Sequence, residues 1–293
     1  MNDIMLGLPP NILRKTISDI EKMFPEMKIL PHKTHKEAGE YFTRLFGRHE
    51  TTLQDLPDII ITAYPEVVGN KDWIKKSCYF QTMPEYLPPL RSDLAQMGFF
   101  EPTVYFKVIT LAPLVIVYNK NVEKPPSSWQ DLLDERFFGK IICPPEDTPV
   151  PNIYRFYLRH FFGERAEGTI KNTTYKSYPL DINKEVDEGV YQAGFVPPAF
   201  ARSSRGGNVV LCWPNEGALA VPIVAMMRKG ACAEAEKVLD YLLSFEYQDF
   251  ISQTGGLVPV REGVAFFGEM KKANGKLLWA GWDIYETLIE KTS

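Results

Sequence analysis

A chain of 293 residues, 45% hydrophobic and 24% charged, has the composition of a globular protein long enough for two ordinary domains or one large α/β unit. Its net charge of −4 leaves no basic footprint, so nucleic acid is excluded as an expected partner. Cys78, Cys143, Cys212 and Cys232 show no C-x-x-C spacing and the four histidines no H-E-x-x-H pattern. The cysteines therefore read as small buried apolar residues, with neither disulfide nor zinc site nor other cofactor expected.

The first third alternates strand and helix signals. Ile4 to Leu8 is a short apolar run closed by Pro9, Pro10 and Asn11. A helix pattern follows with Ile12, Leu13, Ile17, Ile20 and Phe24 at three- and four-residue spacings. Met27 to Leu30 reads as a second strand and Lys36 to Phe46 as a second helix. Asp58 to Ala63 is a continuous apolar run rich in isoleucine, as expected of a parallel strand buried on both faces. This order predicts a parallel sheet covered by helices.

Val104 to Asn119 is too long for a typical strand and contains Pro113, which cannot donate to a ladder. It is expected to be two strands joined end to end, broken near Ala112-Pro113. The stretch 208–227, NVVLCWPNEGALAVPIVAMM, has the same construction. Glu216 near a bilayer centre would cost roughly 2.5–3.5 kcal/mol, so this stretch is no membrane span. The Met1-Asn2-Asp3-Ile4 start lacks the basic-then-apolar order of a signal peptide. Two interrupted strands about a hundred residues apart suggest that the chain crosses from one lobe to another and returns.

Between them, Ser127 is expected to cap a helix start with Gln130 as its capping-box partner. Gly139 to Cys143 is a strand stopped by Pro144-Pro145, and Asn152 is expected to cap a helix with Ile153, Phe156, Tyr157 and Phe161 on its apolar face. Gln192 to Val196 is a further strand, stopped by Pro197-Pro198. After the return, Ala233 to Leu243 is helical, Gly255-Gly256 ends a second helix, Leu257 to Val260 is a short strand, and a last helix holds Trp282, Ile284, Tyr285 and Leu288.

Parallel sheets bind ligands beyond the carboxyl ends of their strands. The strand ends name the candidate ligand-binding residues: Pro10, Asn11, Tyr64, Glu146, Thr148, Asn152, Pro198, Arg202, Trp213 and Glu216. Helix N-termini next to several of them would favour an anion. One helix dipole contributes about 0.3–1 kcal/mol, so direct contacts from such residues as Arg202, Arg205, Asn11 or Tyr64 must add to it. Five of them have a plainer alternative: Tyr64 as a cover for its strand, Arg202 as a solvent-facing charge, Trp213 as a plug, Asn152 as a helix cap, Glu216 as a backbone cap. Cys212 lies in an apolar run without a basic neighbour, where a thiol stays protonated, so no enzyme activity is expected.

Several stretches resemble a known family. APLVIVYNKNVEKPPSSWQDLLDERFFGKI, GFVPPAFAR, VVLCWPNEGALAVPIVAMMRKG and AEKVLDYLLSFEYQDFISQTGGLVPVREGV, in this order, are similar to extracellular solute-binding proteins of ABC transporters. The nearest branch is that of ferric-iron-binding proteins, although this chain has no adjacent tyrosine pair of the kind that holds iron there. The resemblance implies a type II periplasmic-binding-protein-like α/β fold. Lobe 1 would be 1–112 plus 217–293 and lobe 2 would be 113–216, with two strand crossovers as hinge. It implies a monomeric receptor that captures a small anion, metal complex or small organic ion by hinge closure and delivers it to an ABC transporter permease. Such a protein would be periplasmic or extracytoplasmic if an export signal precedes this chain. Otherwise a cytoplasmic ligand-sensing module on the same fold is the alternative.

Overall fold

The computed structural model describes residues 3–30, 41, 52–64, 78–85, 88–100, 104–285 and 287. The helix expected over Lys36–Phe46 lies outside these apart from Tyr41, and so does Leu288. The strands are β1 (Asp3–Leu6), β2 (Lys28–Leu30), β3 (Ile59–Thr62), β4 (Phe106–Asn119), β5 (Ile141–Cys143), β6 (Thr173–Tyr175), β7 (Ala193–Val196), β8 (Val209–Cys212), β9 (Ala218–Met227), β10 (Val258–Pro259) and β11 (Leu277–Leu278). The helices are α1 (Pro10–Met23), α2 (Ser92–Gln96), α3 (Val150–Phe162), α4 (Glu167–Asn172), α5 (Pro179–Asp187), α6 (Pro198–Ala201), α7 (Ala233–Leu242), α8 (Phe245–Gln253), α9 (Gly268–Lys272) and α10 (Trp282–Tyr285). The chain divides into two compact units, residues 1–111, 222–265 and 281–293 in one and 112–221 with 266–280 in the other.

In the first unit β1 runs parallel to β2 on one side and β3 on the other, and β3 is antiparallel to the second half of β9. Ile59, Ile60 and Ile61 are all fully enclosed, as the unbroken isoleucine run predicts for a central strand. Helix α1 buries Ile12, Thr16 and Ile20, and Thr16 Oγ1 returns its proton to the Ile12 carbonyl at 3.0 Å or to Tyr247 at 2.9 Å. The buried Asp58 carboxylate ties three segments together by accepting from Asp3 N at 3.1 Å, Arg228 Nη2 at 2.5 Å and Cys232 N at 3.2 Å. A buried charge is tolerated because it is paired and hydrogen-bonded.

In the second unit β5 lies between parallel β6 and β7, and the second half of β4 is antiparallel to β7 and β8. Its core joins Val117, Ile142, Ile182, Val186, Val196 and Phe200. A buried aromatic group sits beside it, with the Tyr154 and Phe195 rings 4.1 Å apart and Trp129 6.0 Å from Phe195.

Several expectations are corrected. β4 is one continuous 14-residue strand and does not break at Pro113. Its β10 ladder ends at Leu111, and its β7 and β8 ladders begin at Val115 and Ile116, so none of these three ladders uses the missing proline N–H. The return crossing is not at residues 213–217. It lies within β9 between Val221 and Pro222, and 213–217 is a turn inside the second unit. Residues 266–280 also belong to the second unit, because β11 pairs with Ala218 and Leu219 and Arg202 binds Glu269 at 2.7 and 2.8 Å. Gly217, with φ of 117°, permits this: a Cβ there would lie 2.6 Å from the Leu277 carbonyl carbon.

Local expectations shift too. Ser127 and Gln130 form no capping box; Asp131 N donates to Ser128 Oγ at 3.0 Å, and the Asp131 carboxylate accepts from Ser127 N at 2.7 Å. Helix α3 starts at Val150, so Asn152 lies in its first turn and is not its cap. The buried face of α3 carries Ile153, Tyr154, Tyr157 and Leu158, whereas Phe161 is exposed. Only Cys143 is fully buried; Cys212 and Cys232 are half-buried, and Cys78 is exposed.

Candidate functional site

Each unit contains a strand-order reversal, the position at which open α/β sheets bind ligands. In the first unit the chain passes from β1 through α1 to β2, then reaches β3 on the opposite side of β1. β1 and β3 are therefore the neighbours at which the order reverses. Gly7 closes the pair by donating to the Ile61 carbonyl at 2.6 Å. Pro10 occupies the first turn of α1. Asn11 Nδ2 donates to Gly255 O at 3.2 Å, and Tyr64, buried after β3, donates its backbone N–H to Thr62 Oγ1 at 3.1 Å.

In the second unit the chain passes from β5 through α3 and α4 to β6, then through α5 to β7 on the opposite side of β5. Phe195 and Cys212 both pair with Ile116, so β7 and β8 end within one residue of each other along β4. Glu146 and Thr148 follow β5, Pro198 follows β7, and Trp213 follows β8, so the structure brings these four to one end of one sheet. Asn152 lies in the first turn of α3, the helix that follows β5. Thr148 is buried and its hydroxyl donates to Pro145 O at 2.8 Å.

The remaining candidates are held by contacts within the unit. Arg202 forks onto the Glu269 carboxylate, which holds that acid below the usual carboxylate range. Trp213 Nε1 donates to Lys276 O at 2.7 Å, with its ring 6.1 Å from Phe267. Glu216 accepts from the backbone N–H groups of Trp129 and Gln130, both at 3.1 Å. The carboxylate thus caps the turn Gln130–Leu133, an acid at the positive end of a helical segment.

The structure adds residues that the strand-end reading missed. β6, only three residues long, carried no visible strand signal, so Tyr175, Lys176 and Tyr178 at its carboxyl end went unnoticed. Arg155, in the second turn of α3, forks onto the Glu146 carboxylate, one bond at 2.8 Å, and its guanidinium lies 4.1 Å from the Tyr175 ring centre. Burial above all pushes the Tyr175 hydroxyl up to about 12. Tyr178 Oη donates to Asp147 Oδ2 at 3.0 Å, while Asp147 Oδ1 is enclosed without a hydrogen-bond partner. Lys176 Nζ is 2.9 Å from Glu185, which raises the lysine. Cations and acids alternate here, so the strand ends offer both donors and acceptors. Among the described residues no three His, Cys, Asp or Glu side chains are grouped to hold a metal ion.

Two α/β units, each with parallel strands reversing their order, joined by strands common to both, define the class of two-lobed periplasmic binding proteins. Solved structures of that class have the same fold. The ferric binding protein of Campylobacter jejuni superposes with a TM-score of 0.77 at 18% identity, covering 99% of this chain and 96% of its own. Iron-bound HitA from Pseudomonas aeruginosa also gives 0.77, at 16% identity, covering 99% and 96%. Residues 54–287 match the family described as bacterial extracellular solute-binding protein, and the chain belongs to that family. A putative 2-aminoethylphosphonate-binding periplasmic protein of Salmonella typhimurium is 29% identical over 178 residues, 55% of this chain and 53% of the relative. The chain thus spans about half the length of the curated relatives it matches. No helix among the described residues is long and apolar enough to cross a membrane.

Proposed function

We propose that this protein is an extracytoplasmic receptor that binds a small anion-bearing organic solute at its strand ends and delivers it to an ABC transporter permease. The observation that carries the reading is the family match over 54–287 together with a strand-order reversal in each unit. The similarity to a putative 2-aminoethylphosphonate-binding protein supports a phosphonate as ligand. Mixed charge at the β5 and β6 ends supports a ligand bearing both an anionic and a cationic group. Closure about the strands that both units share would follow binding, because a ligand that prefers one conformation shifts the population toward it. The catalytic reading of Cys212 is disfavoured by burial, which pushes its thiol up to about 11.

Isothermal titration with 2-aminoethylphosphonate, alkylphosphonates, phosphate, ferric citrate, putrescine and thiamine tests the assignment, with small-angle scattering as a second readout. A phosphonate is expected to bind at micromolar concentration or tighter and to reduce the radius of gyration. Binding confined to ferric citrate, or to none of the panel, would sink it.

A further inference from the structure

Arg155 differs from the other forked arginines of the described residues. Arg91 pairs with Asp93 two residues away and also donates to Val264 O. Arg159 pairs with Glu167 on a helix surface, both side chains about half exposed. Arg202 fastens Glu269 of the 266–280 segment. Arg155 alone of these stands at the carboxyl ends of parallel strands, beside β5 and β6, with its guanidinium 4.1 Å from the Tyr175 ring centre. A guanidinium fixed in this way loses little rotamer freedom when it grips an anion, and its fork matches a carboxylate or phosphonate.

Its partner is built differently. The Arg155 side chain is 22% exposed and that of Glu146 57%. An acid so open to water contributes little through its ion pair and gives it up readily. The Glu146 carboxylate therefore covers the fork much as a ligand anion would. Next to it, Asp147 places Oδ2 on Tyr178 and leaves Oδ1 enclosed and unpartnered. An enclosed acceptor without a donor is costly, and an ammonium group would satisfy it.

We propose that Arg155, Glu146 and Asp147 form a two-pole site for a zwitterionic solute. Arg155 takes the anionic head once Glu146 is displaced from it, and the freed Glu146 with Asp147 Oδ1 takes the ammonium. One internal ion pair is exchanged for two with the ligand, which makes both poles of the solute necessary. This rests on the solute-receptor reading above and goes beyond it by naming the charge pattern of the ligand and the residues that read it.

The test is calorimetric titration of the wild-type chain and of Glu146→Gln, Asp147→Asn, Arg155→Gln and Arg155→Lys with two probes, 2-aminoethylphosphonate and ethylphosphonate. Wild type should prefer the aminated probe by about tenfold or more, the worth of one charge-assisted contact. Glu146→Gln should bind ethylphosphonate more tightly than wild type does, because the internal competitor is gone, and should lose most of the preference for the aminated probe. Asp147→Asn should reduce that preference without tightening ethylphosphonate. Arg155→Gln should weaken both probes, and Arg155→Lys, which keeps the charge but not the fork, should recover only part. If wild type binds a phosphonate and the ratio of the two affinities is the same in Glu146→Gln and Asp147→Asn, the two-pole site is wrong and the receptor reading stands. If wild type binds neither probe, the phosphonate reading fails and the two-pole site fails with it. A pair that is merely structural would lower the melting temperature of both Arg155 variants and leave the affinity ratio unmoved.

Discussion

Trp129 and the turn after β8 are joined by both backbone and side chain: Trp129 N donates to Glu216 Oε2 at 3.1 Å and its indole Nε1 to Gly217 O at 2.9 Å. Gln130 N fills the second Glu216 oxygen at 3.1 Å. The acid that the sequence left open as a ligand contact or a backbone cap thus holds an aromatic core residue in place. Glu216→Ala should lower stability by about 1–2 kcal/mol, the loss of an N-terminal cap with a charged acceptor. Chemical denaturation checks the loss, and titration of the ligand should show its affinity unaltered. Weaker binding at unchanged stability would return Glu216 to the ligand site.

Asp187 organises the loop that follows α6. Its carboxylate accepts from Asn208 N at 2.7 Å, Gly206 N at 2.5 Å and Ser204 Oγ at 2.9 Å. These donors, the Asn208 and Gly206 amides first, hold the acid below the usual aspartate range. A depressed folded value means that this contribution is present at pH above the ordinary aspartate range and disappears as pH falls through the lowered value. Asp187→Asn should remove that pH dependence, and hydrogen exchange should speed up at the Gly206 and Asn208 amides. Unchanged exchange would show that the loop does not depend on Asp187.

Gly217 is a point where no other residue fits. Its φ of 117° is strained for any side chain, and a Cβ would meet the Leu277 carbonyl carbon at 2.6 Å and Leu278 N at 2.8 Å, backbone atoms that cannot rotate aside. Gly217→Ala should separate β11 from β9 and cost at least about 2 kcal/mol, read as a lower urea midpoint. A midpoint equal to wild type would mean that the β9–β11 pairing contributes nothing to the fold.

The thiols should respond to burial. Cys143 is fully enclosed and its thiol is raised well above the ordinary value by desolvation, while Cys212 is pushed up to about 11, chiefly by burial, with Asp131 and Glu216 adding to it. Ellman's reagent at pH 8 should label exposed Cys78 rapidly and Cys212 and Cys143 slowly, because the thiolate is the reacting form. The substitution Cys78→Ser should abolish the fast phase. A fast phase that survives it and is lost in Cys212→Ser would revive the nucleophile reading.

Local pattern and proline punctuation were enough to read an α/β order of elements, and the two-lobed class came from the resemblance of stretches after Leu111 to solute-binding proteins. The isoleucine run before Thr62, the α1 periodicity and the stops at Pro144 and Pro197 each depend only on neighbours in the chain, so β1, β3, β5, β7 and most of the larger helices were legible. The strand ends followed from them, and Glu146, Thr148, Pro198 and Trp213 do gather at one end of one sheet. What the sequence could not reveal depends on partners distant along the chain. Whether Pro113 breaks a strand depends on which ladder needs its N–H, and the ladders on β10, β7 and β8 stop short of it. Whether Arg202 and Glu216 face a ligand depends on Glu269 and on the Trp129 backbone, 67 and 87 residues away. Arg155 drew no notice, because its neighbours Glu146 and Tyr175 meet it only when α3 folds back over β5 and β6. Composition and periodicity are local properties and determine which elements form. The pairing of charges and hydrogen bonds is decided by tertiary packing, and that pairing determines which side chains remain available to a ligand.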